Sequence, residues 1–288
     1  MKPRRTNPAS GKAQPPAPLL AKSCVYDDAY AYVRLSRLDA GAAEAFDQAL
    51  SQLSSSNKLR GLVVDLRFAD GQDYAAAGAV ADRFFSSERT LLDWGTAQAR
   101  SKDKTNAWRM PVAVLVNRQT TGSAEALAAI LQKNEIALLV GANTPGAAGV
   151  MKDFTLQNGQ TLRIAVASLK LGEGEALSPK GLTADISMTL PPEEEKRLMD
   201  EPFRPSGRST ARVGSTGTNA LAGTNRPGRI NEAELVRRMK EGLSPEPDML
   251  WLLAAASAEP DRAGLRDPAL LRALDLLKGL AVVYGKKL

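Results

Sequence analysis

Histidine is absent from this chain of 288 residues, and cysteine occurs once, at position 24. Without histidine, a Ser-His-Asp triad, a Cys-His dyad and a histidine-ligated zinc site are excluded. A single thiol also excludes an intramolecular disulfide, and Cys24 has no histidine that would activate it. Any nucleophilic chemistry must therefore use a lysine, an aspartate or a glutamate as its base.

Long apolar runs are also lacking. No stretch approaches the roughly 18 consecutive apolar residues of a membrane-spanning helix, so we predict no membrane span. The first residues are basic, but prolines and polar residues interrupt the apolar segment that a signal peptide needs. No signal peptide is visible in this sequence.

The net charge of +6 is concentrated in two segments. Residues 1–23 and residues 204–230 each contain five Lys or Arg and no acidic residue. Arginines scattered among Pro, Gly, Ser and Thr are typical of a soluble linker, whereas a nucleic-acid surface needs a basic face with interleaved aromatic residues. Nucleic-acid binding through the basic linker is therefore the weakest functional hypothesis.

The first half of the chain alternates between strand and helix patterns. Short apolar runs bounded by turn residues predict strands, and apolar residues three and four apart predict helices. The predicted strands are Tyr30–Leu35, 61–66, Val112–Val116 and 137–140. Three helices are predicted. Asp39 caps the first, whose apolar face consists of Ala42, Phe46, Ala49, Leu50 and Leu53; the second covers 74–85 and the third covers 123–134. This alternation is typical of an α/β domain with helices packed on a sheet.

A β-hairpin is predicted at 154–169. Asn158 and Gly159 lie in a short turn between two apolar segments, and Asn-Gly is a strong hairpin signal. The domain is expected to close with a strand near 186–190 and an acidic helical turn at Pro192–Asp200.

The predicted domain organisation has four parts. A basic, proline-rich, disordered N-terminus covers residues 1–27, and the core domain covers 28–203. Residues 204–229 contain too few core-forming side chains to fold, which predicts a disordered linker. Residues 230–288 form a helical C-terminal segment with helices at 231–242 and 267–283, and the leucines of the last helix are expected to pack on the core.

Six sequence runs occur in the order found in carboxyl-terminal processing (tail-specific) serine peptidases, and the chain resembles that family. The runs are Tyr-Val-Arg-Leu at 32–35, Gly-Leu-Val-Val-Asp-Leu-Arg at 61–67, Pro-Val-Ala-Val-Leu-Val-Asn at 111–117, Leu-Val-Gly-Ala-Asn-Thr-Pro-Gly at 139–146, Ser-Pro-Lys-Gly-Leu-Thr-Ala-Asp-Ile at 178–186 and Asp-Pro-Ala-Leu-Leu-Arg-Ala-Leu at 267–274. The resemblance implies an α/β fold with a ClpP/crotonase-like β-α spiral core and a helical C-terminal extension. The segment before the first core strand is too short for the PDZ domain that many relatives carry, so none is expected there.

The catalytic side chains of the family are missing at the matching positions. The resemblance implies a Ser/Lys dyad, in which a serine attacks the peptide carbonyl and a buried lysine takes its proton. When the glutamate of the family's S-A-S-E motif is matched to Glu125, the serine falls on Gly122 and the lysine falls on Ala147. The assisting glutamine falls on Met151. Glycine has no hydroxyl, alanine has no amine and a thioether cannot donate a hydrogen bond, so none of the three is expected to be catalytic.

The oxyanion hole of the family consists of backbone groups and does not depend on these side chains. The resemblance implies donors in the loop that contains Gly71 and at the N–H of Ser123. Such donors are expected to bind a carbonyl or a carboxylate, although Gly71 is explained equally well as a turn residue. The alignment also predicts that Gly71 and Gly122 lie on neighbouring loops at one edge of the sheet.

A displaced active site is the main alternative. Ser123 follows the aligned nucleophile, and Lys152 follows the aligned glutamine. One residue along a helix turns a side chain by about 100°, so Ser123 would not point in the direction of the family's serine. Helix capping is the simpler role for Ser123, and solvent exposure is the ordinary state of a lysine such as Lys152.

The sequence therefore predicts a non-catalytic pseudopeptidase that acts as a peptide-binding or scaffold module. The alternative is an active serine-type peptidase that uses the Ser123/Lys152 pair. A peptide or a protein C-terminus is the expected partner, no metal ion or cofactor is expected, and the oligomeric state is left open. The resemblance implies a periplasmic or otherwise extracytoplasmic location.

Overall fold

A six-stranded sheet lies at the centre of the computed structural model, which describes residues 18–172, 174–200 and 265–284. Its strands, in spatial order, are β1 (Leu20–Tyr26), β2 (Tyr30–Leu35), β3 (Gly61–Asp65), β6 (Val112–Val116), β7 (Ala137–Gly141) and β12 (Ile186–Ser187). β1 runs antiparallel to β2, and all other neighbours in this sheet are parallel. The four strands predicted in the first half of the chain are confirmed.

Helices connect the parallel strands. They are α1 (Ala42–Ser56) between β2 and β3, α2 (Tyr74–Asp82) between β3 and β6, and α3 (Gly122–Lys133) between β6 and β7. A parallel pair needs such a crossover, because the chain must return to the same end of the sheet. Later in the described part of the chain lie α4 (Pro192–Asp200) and α5 (Pro268–Tyr284).

Helices cover both faces of the sheet, as its continuous apolar strand sequences require. Leu62 and Val64 are buried in one cluster with the apolar residues of α1, α2 and α3. The alternate residues, such as Val63, are equally buried on the opposite face, where α5 packs against β3, β6 and β7. Gly61 has no side chain, and Leu277 of α5 packs against it.

A buried ionic network ties α5 to the sheet. The guanidinium of Arg67 donates to Asp65 Oδ1 and Oδ2 at 3.0 and 2.6 Å, and to Asp267 Oδ1 and Oδ2 at 3.1 and 2.7 Å. The Tyr32 hydroxyl donates to Asp65 Oδ2 at 2.7 Å, and Asp267 also accepts two backbone N–H groups in the first turn of α5. Burial alone would raise the pKa of Asp65, but the Arg67 charge and hydrogen bonds hold it below its usual value. Asp65 therefore stays ionised in the interior.

Two smaller sheets lie outside the central one. The first has the strand order β11 (Glu175–Ala176), β10 (Lys170–Leu171), β4 (Arg89–Asp93) and β5 (Gln98–Ser101). The second is an antiparallel hairpin of β8 (Val150–Thr155) and β9 (Thr161–Ala167). The hairpin predicted around Asn158 and Gly159 is confirmed, and it begins at Val150 rather than at position 154.

Three details differ from the sequence-based expectation. Residues 20–26 form a strand that pairs with β2, so the ordered sheet begins before position 28. Asp39 does not cap α1; Gly41 precedes the helix, and Asp39 instead accepts the Gln72 N–H at 3.2 Å. The closing strand is limited to Ile186–Ser187, which pairs with the end of β7.

Several predictions fall on residues outside the described ranges: residues 1–17, the linker at 204–229 and the helix at 231–242. Residues 197–266 are divided from the rest of the chain as a separate unit, while the central sheet, α1–α3 and α5 belong to one compact unit. Among the helices that the structure describes, none is both long enough and apolar enough to cross a bilayer.

Replacing Asp267 with alanine is expected to lower the free energy of unfolding by about 3–5 kcal/mol, because Arg67 would keep a buried charge with one of its two hydrogen-bonded carboxylates removed. The matched control is Asp275→Ala, which removes an exposed carboxylate from the same helix and is expected to change stability by less than about 0.5 kcal/mol. Urea denaturation of both variants measures the difference. Equal losses would contradict the role of the network.

Candidate functional site

Two loops at the carboxyl ends of β3 and β6 meet at the candidate site. The loop after β3 contains Gly71, and the loop after β6 leads into α3 at Gly122. Two backbone hydrogen bonds join them: Thr121 N–H donates to Ala69 O, and Ser123 N–H donates to Gly71 O, both at 3.0 Å. The expectation that Gly71 and Gly122 are neighbours is confirmed.

Gly122 has a backbone conformation that favours glycine and surroundings that leave no room for a side chain. Its φ is 59°, in the left-handed region that side chains disfavour. A Cβ at this position would overlap the carbonyl oxygen of Gly71 and would lie 3.3 Å from the side-chain nitrogen of Gln72. The position aligned with the nucleophile therefore has no room for a hydroxymethyl group unless the Gly71 loop moves.

The Ser123 side chain serves as a buried structural link. It is fully buried, and its hydroxyl donates to Leu38 O at 2.7 Å. Gly71, with a φ of 142°, packs so closely that a Cβ would overlap both Ser123 Oγ and Leu38 O. Ser123 does not cap α3, because Thr121 precedes the helix and no side chain caps that end. The helix-capping interpretation of Ser123 is therefore wrong.

The Ser123 N–H, expected as an oxyanion donor, already has an acceptor within the protein. In a working oxyanion hole the donors point at the position that the substrate oxygen will occupy. Here Gly71 O lies 3.0 Å from the Ser123 nitrogen. The carbonyl of one loop thus satisfies the donor of the other.

Glu125 organises the loop that carries the aligned lysine position. Its buried carboxylate accepts the Thr144 hydroxyl, the Gly146 N–H at 2.8 Å and the Ala148 N–H at 2.8 Å. Ala147 lies in this loop and is exposed. A lysine at position 147 would therefore be in water, rather than in the apolar surroundings that lower an ammonium pKa. Glu125 marked the alignment in the sequence, but its role in the loop was not predicted.

The structure does not bring the Ser123/Lys152 pair together. Ser123 Oγ is directed at Leu38 O in the interior. Lys152 is exposed on β8, with its ammonium 5.5 Å from the centre of the Phe154 ring. Met151, the residue aligned with the assisting glutamine, is also exposed on β8. No hydrogen bond joins these groups among the described residues.

A cavity of about 510 Å³ opens between the start of α2 and β8. Its lining consists of Gln72, Asp73, Tyr74, Ala75, Trp94, Val150, Met151, Lys152 and Asp153. The Tyr74 hydroxyl donates to Gly149 O at 2.6 Å and accepts the Gly149 N–H at 3.0 Å, which fixes the start of β8 beside α2. The Trp94 ring centre lies 6.2 Å from that of Tyr74. No sequence motif predicted this cavity, because its two aromatic residues are far apart in the chain.

Candidate metal ligands do not gather anywhere in the described ranges. Within residues 18–172, 174–200 and 265–284, no group of three or more cysteine, aspartate or glutamate side chains is arranged to hold a metal ion. The groups at the site are backbone donors, two aromatic rings and the charged side chains around the cavity.

A mainly parallel sheet with crossover helices, whose loops after neighbouring strands meet at a helix N-terminus, defines an α/β domain. The model of peptidase family S41 matches residues 29–188, which is more than half of the chain. The chain belongs to peptidase family S41.

Two curated relatives are processing proteases. The chain is 30% identical over 164 residues to the carboxyl-terminal-processing protease of Synechocystis sp., an alignment that covers 56% of this chain and 38% of the relative. It is 24% identical over 191 residues to the carboxy-terminal processing protease CtpA of Bacillus subtilis, covering 65% of this chain and 40% of the relative. The chain thus spans about two fifths of the length of these relatives.

A solved structure supports the same fold. A candidate peptidase from Parabacteroides merdae superposes with a TM-score of 0.50 at 18% identity, covering 65% of this chain and 62% of that one. The predicted α/β fold with a ClpP/crotonase-like core is confirmed.

Replacing Gly122 with serine is expected to lower the free energy of unfolding by about 2–5 kcal/mol, because left-handed strain adds to the collision with the Gly71 carbonyl. Gly159→Ser is the matched control: Gly159 has a φ of 80°, but an added Cβ would have no neighbour within 4 Å. Only strain of about 1–2 kcal/mol is expected there. Chemical denaturation compares the two variants, and equal losses would show that the Gly71 loop moves aside freely.

Proposed function

We propose that this chain is a non-catalytic member of its family that binds peptides. The observation that carries the proposal is the close contact between Gly122 and the carbonyl of Gly71. This contact fills the space that a nucleophilic side chain would need. The same carbonyl also accepts the Ser123 N–H, which would otherwise serve as an oxyanion donor.

The missing base supports the same conclusion. The chain has no histidine, so a lysine or a carboxylate would have to deprotonate the nucleophile. Ala147 stands at the aligned lysine position in an exposed loop. Lys152, the lysine of the alternative pair, is exposed beside Phe154, whereas Ser123 is buried. Nucleophile and base are thus absent at the aligned positions and separated in the alternative pair.

The cavity beside β8 is the proposed peptide-binding site. The rings of Tyr74 and Trp94 offer apolar surface to a peptide side chain, and Asp73, Lys152 and Asp153 supply charged groups at the same cavity. Both curated relatives are named for processing carboxyl termini. We therefore propose a protein C-terminus as the ligand, with its carboxylate near Lys152 and an apolar side chain against Trp94.

No peptide hydrolysis is expected from the wild-type chain. The variant Gly122→Ser/Ala147→Lys is also expected to be inactive, because a lysine in the exposed 147 loop keeps its proton at neutral pH. Mass spectrometry of unstructured peptides after long incubation with wild type, Ser123→Ala and the double variant measures this. Wild-type cleavage that Ser123→Ala abolishes would overturn the proposal in favour of a displaced serine.

Binding to the cavity is expected to depend on Trp94 and on a free carboxylate. Fluorescence anisotropy with labelled peptides that end in apolar residues should show saturable binding, weakened about tenfold or more by Trp94→Ala. Amidation of the peptide C-terminus should weaken binding as well, since it removes the charge that Lys152 would pair with. The control is Leu138→Ala, an exposed apolar residue outside the cavity lining. Equal affinity for wild type and Trp94→Ala would place any binding elsewhere.

A further inference from the structure

The β8–β9 hairpin exposes an unusual amount of apolar surface. All described side chains from Met151 to Ser168 are exposed. Of the nine exposed large apolar side chains in the described ranges, six belong to this hairpin. They are Met151, Phe154, Leu156, Leu162, Ile164 and Val166, with Val166 half exposed at 50%. Apolar surface concentrated in this way marks an interaction site more often than scattered residues do.

Most of these side chains share one face of the hairpin. Phe154 lies opposite Leu162, and Lys152 lies opposite Ile164. Because side chains alternate along a strand, residues two apart point to the same side, so Val166 joins Ile164 and Leu162 on this face. The hairpin is therefore amphipathic, with an apolar face that nothing in the described structure covers.

The outer edge of β9 is also unprotected. Within the described residues, β8 and β9 pair only with each other, so each has one free edge. β8 carries Lys152 and Asp153, and such charges discourage further pairing. β9 contains seven residues, with no proline or glycine and one charged residue, Arg163. Of the two edges, that of β9 is the one suited to accept another strand.

We propose that two copies of this chain associate by antiparallel pairing of β9 with β9 across a two-fold axis at Ile164. This pairing joins the two hairpins into one four-stranded sheet. The full length of β9 is used, with Thr161 opposite Ala167 and Leu162 opposite Val166 of the second copy.

An axis at Ile164, the middle residue of β9, is the register that pairs the whole strand. This axis keeps apolar residues opposite apolar residues. It also places Arg163 of one copy opposite Ala165 of the other. An axis at position 163 would set two arginines opposite each other, which is destabilising. An axis between two residues would place the apolar face of one copy beside the polar face of the other. A second copy therefore matches this edge along its whole length.

Pairing would also stabilise the hairpin. An isolated two-stranded hairpin is marginal in water, and three or more strands with a shared apolar face are needed for stability. A seven-residue antiparallel pair adds about seven backbone hydrogen bonds. It also unites the two apolar faces, so that Leu162, Ile164 and Val166 each gain a cross-strand apolar neighbour.

Sedimentation velocity of the full chain over a wide concentration range tests the proposal. Wild type should show a monomer–dimer equilibrium. Ile164→Lys should raise the dissociation constant about tenfold or more, because it places two like charges opposite each other on the axis. Thr155→Lys adds the same charge to β8, on the face of the hairpin opposite to the apolar one, and should leave the equilibrium unchanged. Circular dichroism should show that both variants are folded as wild type.

A charge-swap experiment locates the axis. Ile164→Lys and Ile164→Glu should each be monomeric alone and should form a heterodimer when mixed, since opposite charges then meet across the axis. If either variant is unfolded, oxidation of Cys24→Ala/Ile164→Cys provides the second measurement. Directly opposed strand residues lie within disulfide reach, so this variant should form a cross-linked dimer, and Cys24→Ala/Thr155→Cys should not.

Three results would overturn the proposal. The first is a wild-type chain that stays monomeric at all concentrations and does not cross-link through position 164. The second is a dimer that Ile164→Lys leaves intact, since its interface would lie elsewhere. The third is a monomer whose hairpin instead binds vesicles of anionic lipid and loses that binding in Ile164→Lys, because the apolar face would then serve a membrane surface.

Discussion

The arrangement of the domain depends on Arg67, a buried cation held between two aspartates. Asp65 is its neighbour in sequence, whereas Asp267 is 200 residues away and begins α5. Apolar packing alone would let a helix slide on a sheet, because the hydrophobic effect has no direction. Two paired carboxylate hydrogen bonds to one guanidinium fix the start of α5 in a single place. The network therefore determines where α5 begins more than it adds net stability, since desolvation of the charges offsets much of their attraction.

The same region holds the loops of the candidate site. Asn117 Oδ1 accepts the Phe68 N–H at 3.2 Å, and the Thr120 hydroxyl donates to Leu66 O at 2.8 Å. These bonds tie the segment after β6 to the segment after β3, a few residues before Gly122 and Gly71. With both loops held in this way, glycine at position 122 allows the direct approach of the Gly71 carbonyl. Under the proposal that Gly122 replaces the nucleophile, the missing side chain and the occupied Ser123 N–H have one structural cause, because a side chain at 122 would keep the loops apart.

The sequence predicted the elements whose residues repeat a clear pattern. β3 and β6 are continuous apolar runs, and their alternation with helical patterns predicted an α/β domain with helices packed on a sheet. The short polar strands β4 and β5 were missed because their sequences differ little from loops. The Arg67–Asp267 pair joins distant parts of the chain, and no local signal reveals it. At the site, the resemblance predicted that Gly122 and Gly71 are neighbours. The close contact between them depends on their positive φ angles, which the sequence does not predict.

Edge strands show why the hairpin differs from the rest of the fold. One edge of the central sheet is β12, which has only two residues, and the other is β1, which carries Lys22. Short length and lysine are both common protections against unwanted pairing. β9 has neither protection, although it is as long as β1. The contrast within one molecule argues that the β9 edge is kept open for a partner. Because β8 pairs with β9 and the Tyr74 hydroxyl binds Gly149, a partner that stabilises β9 would also stabilise the wall of the cavity.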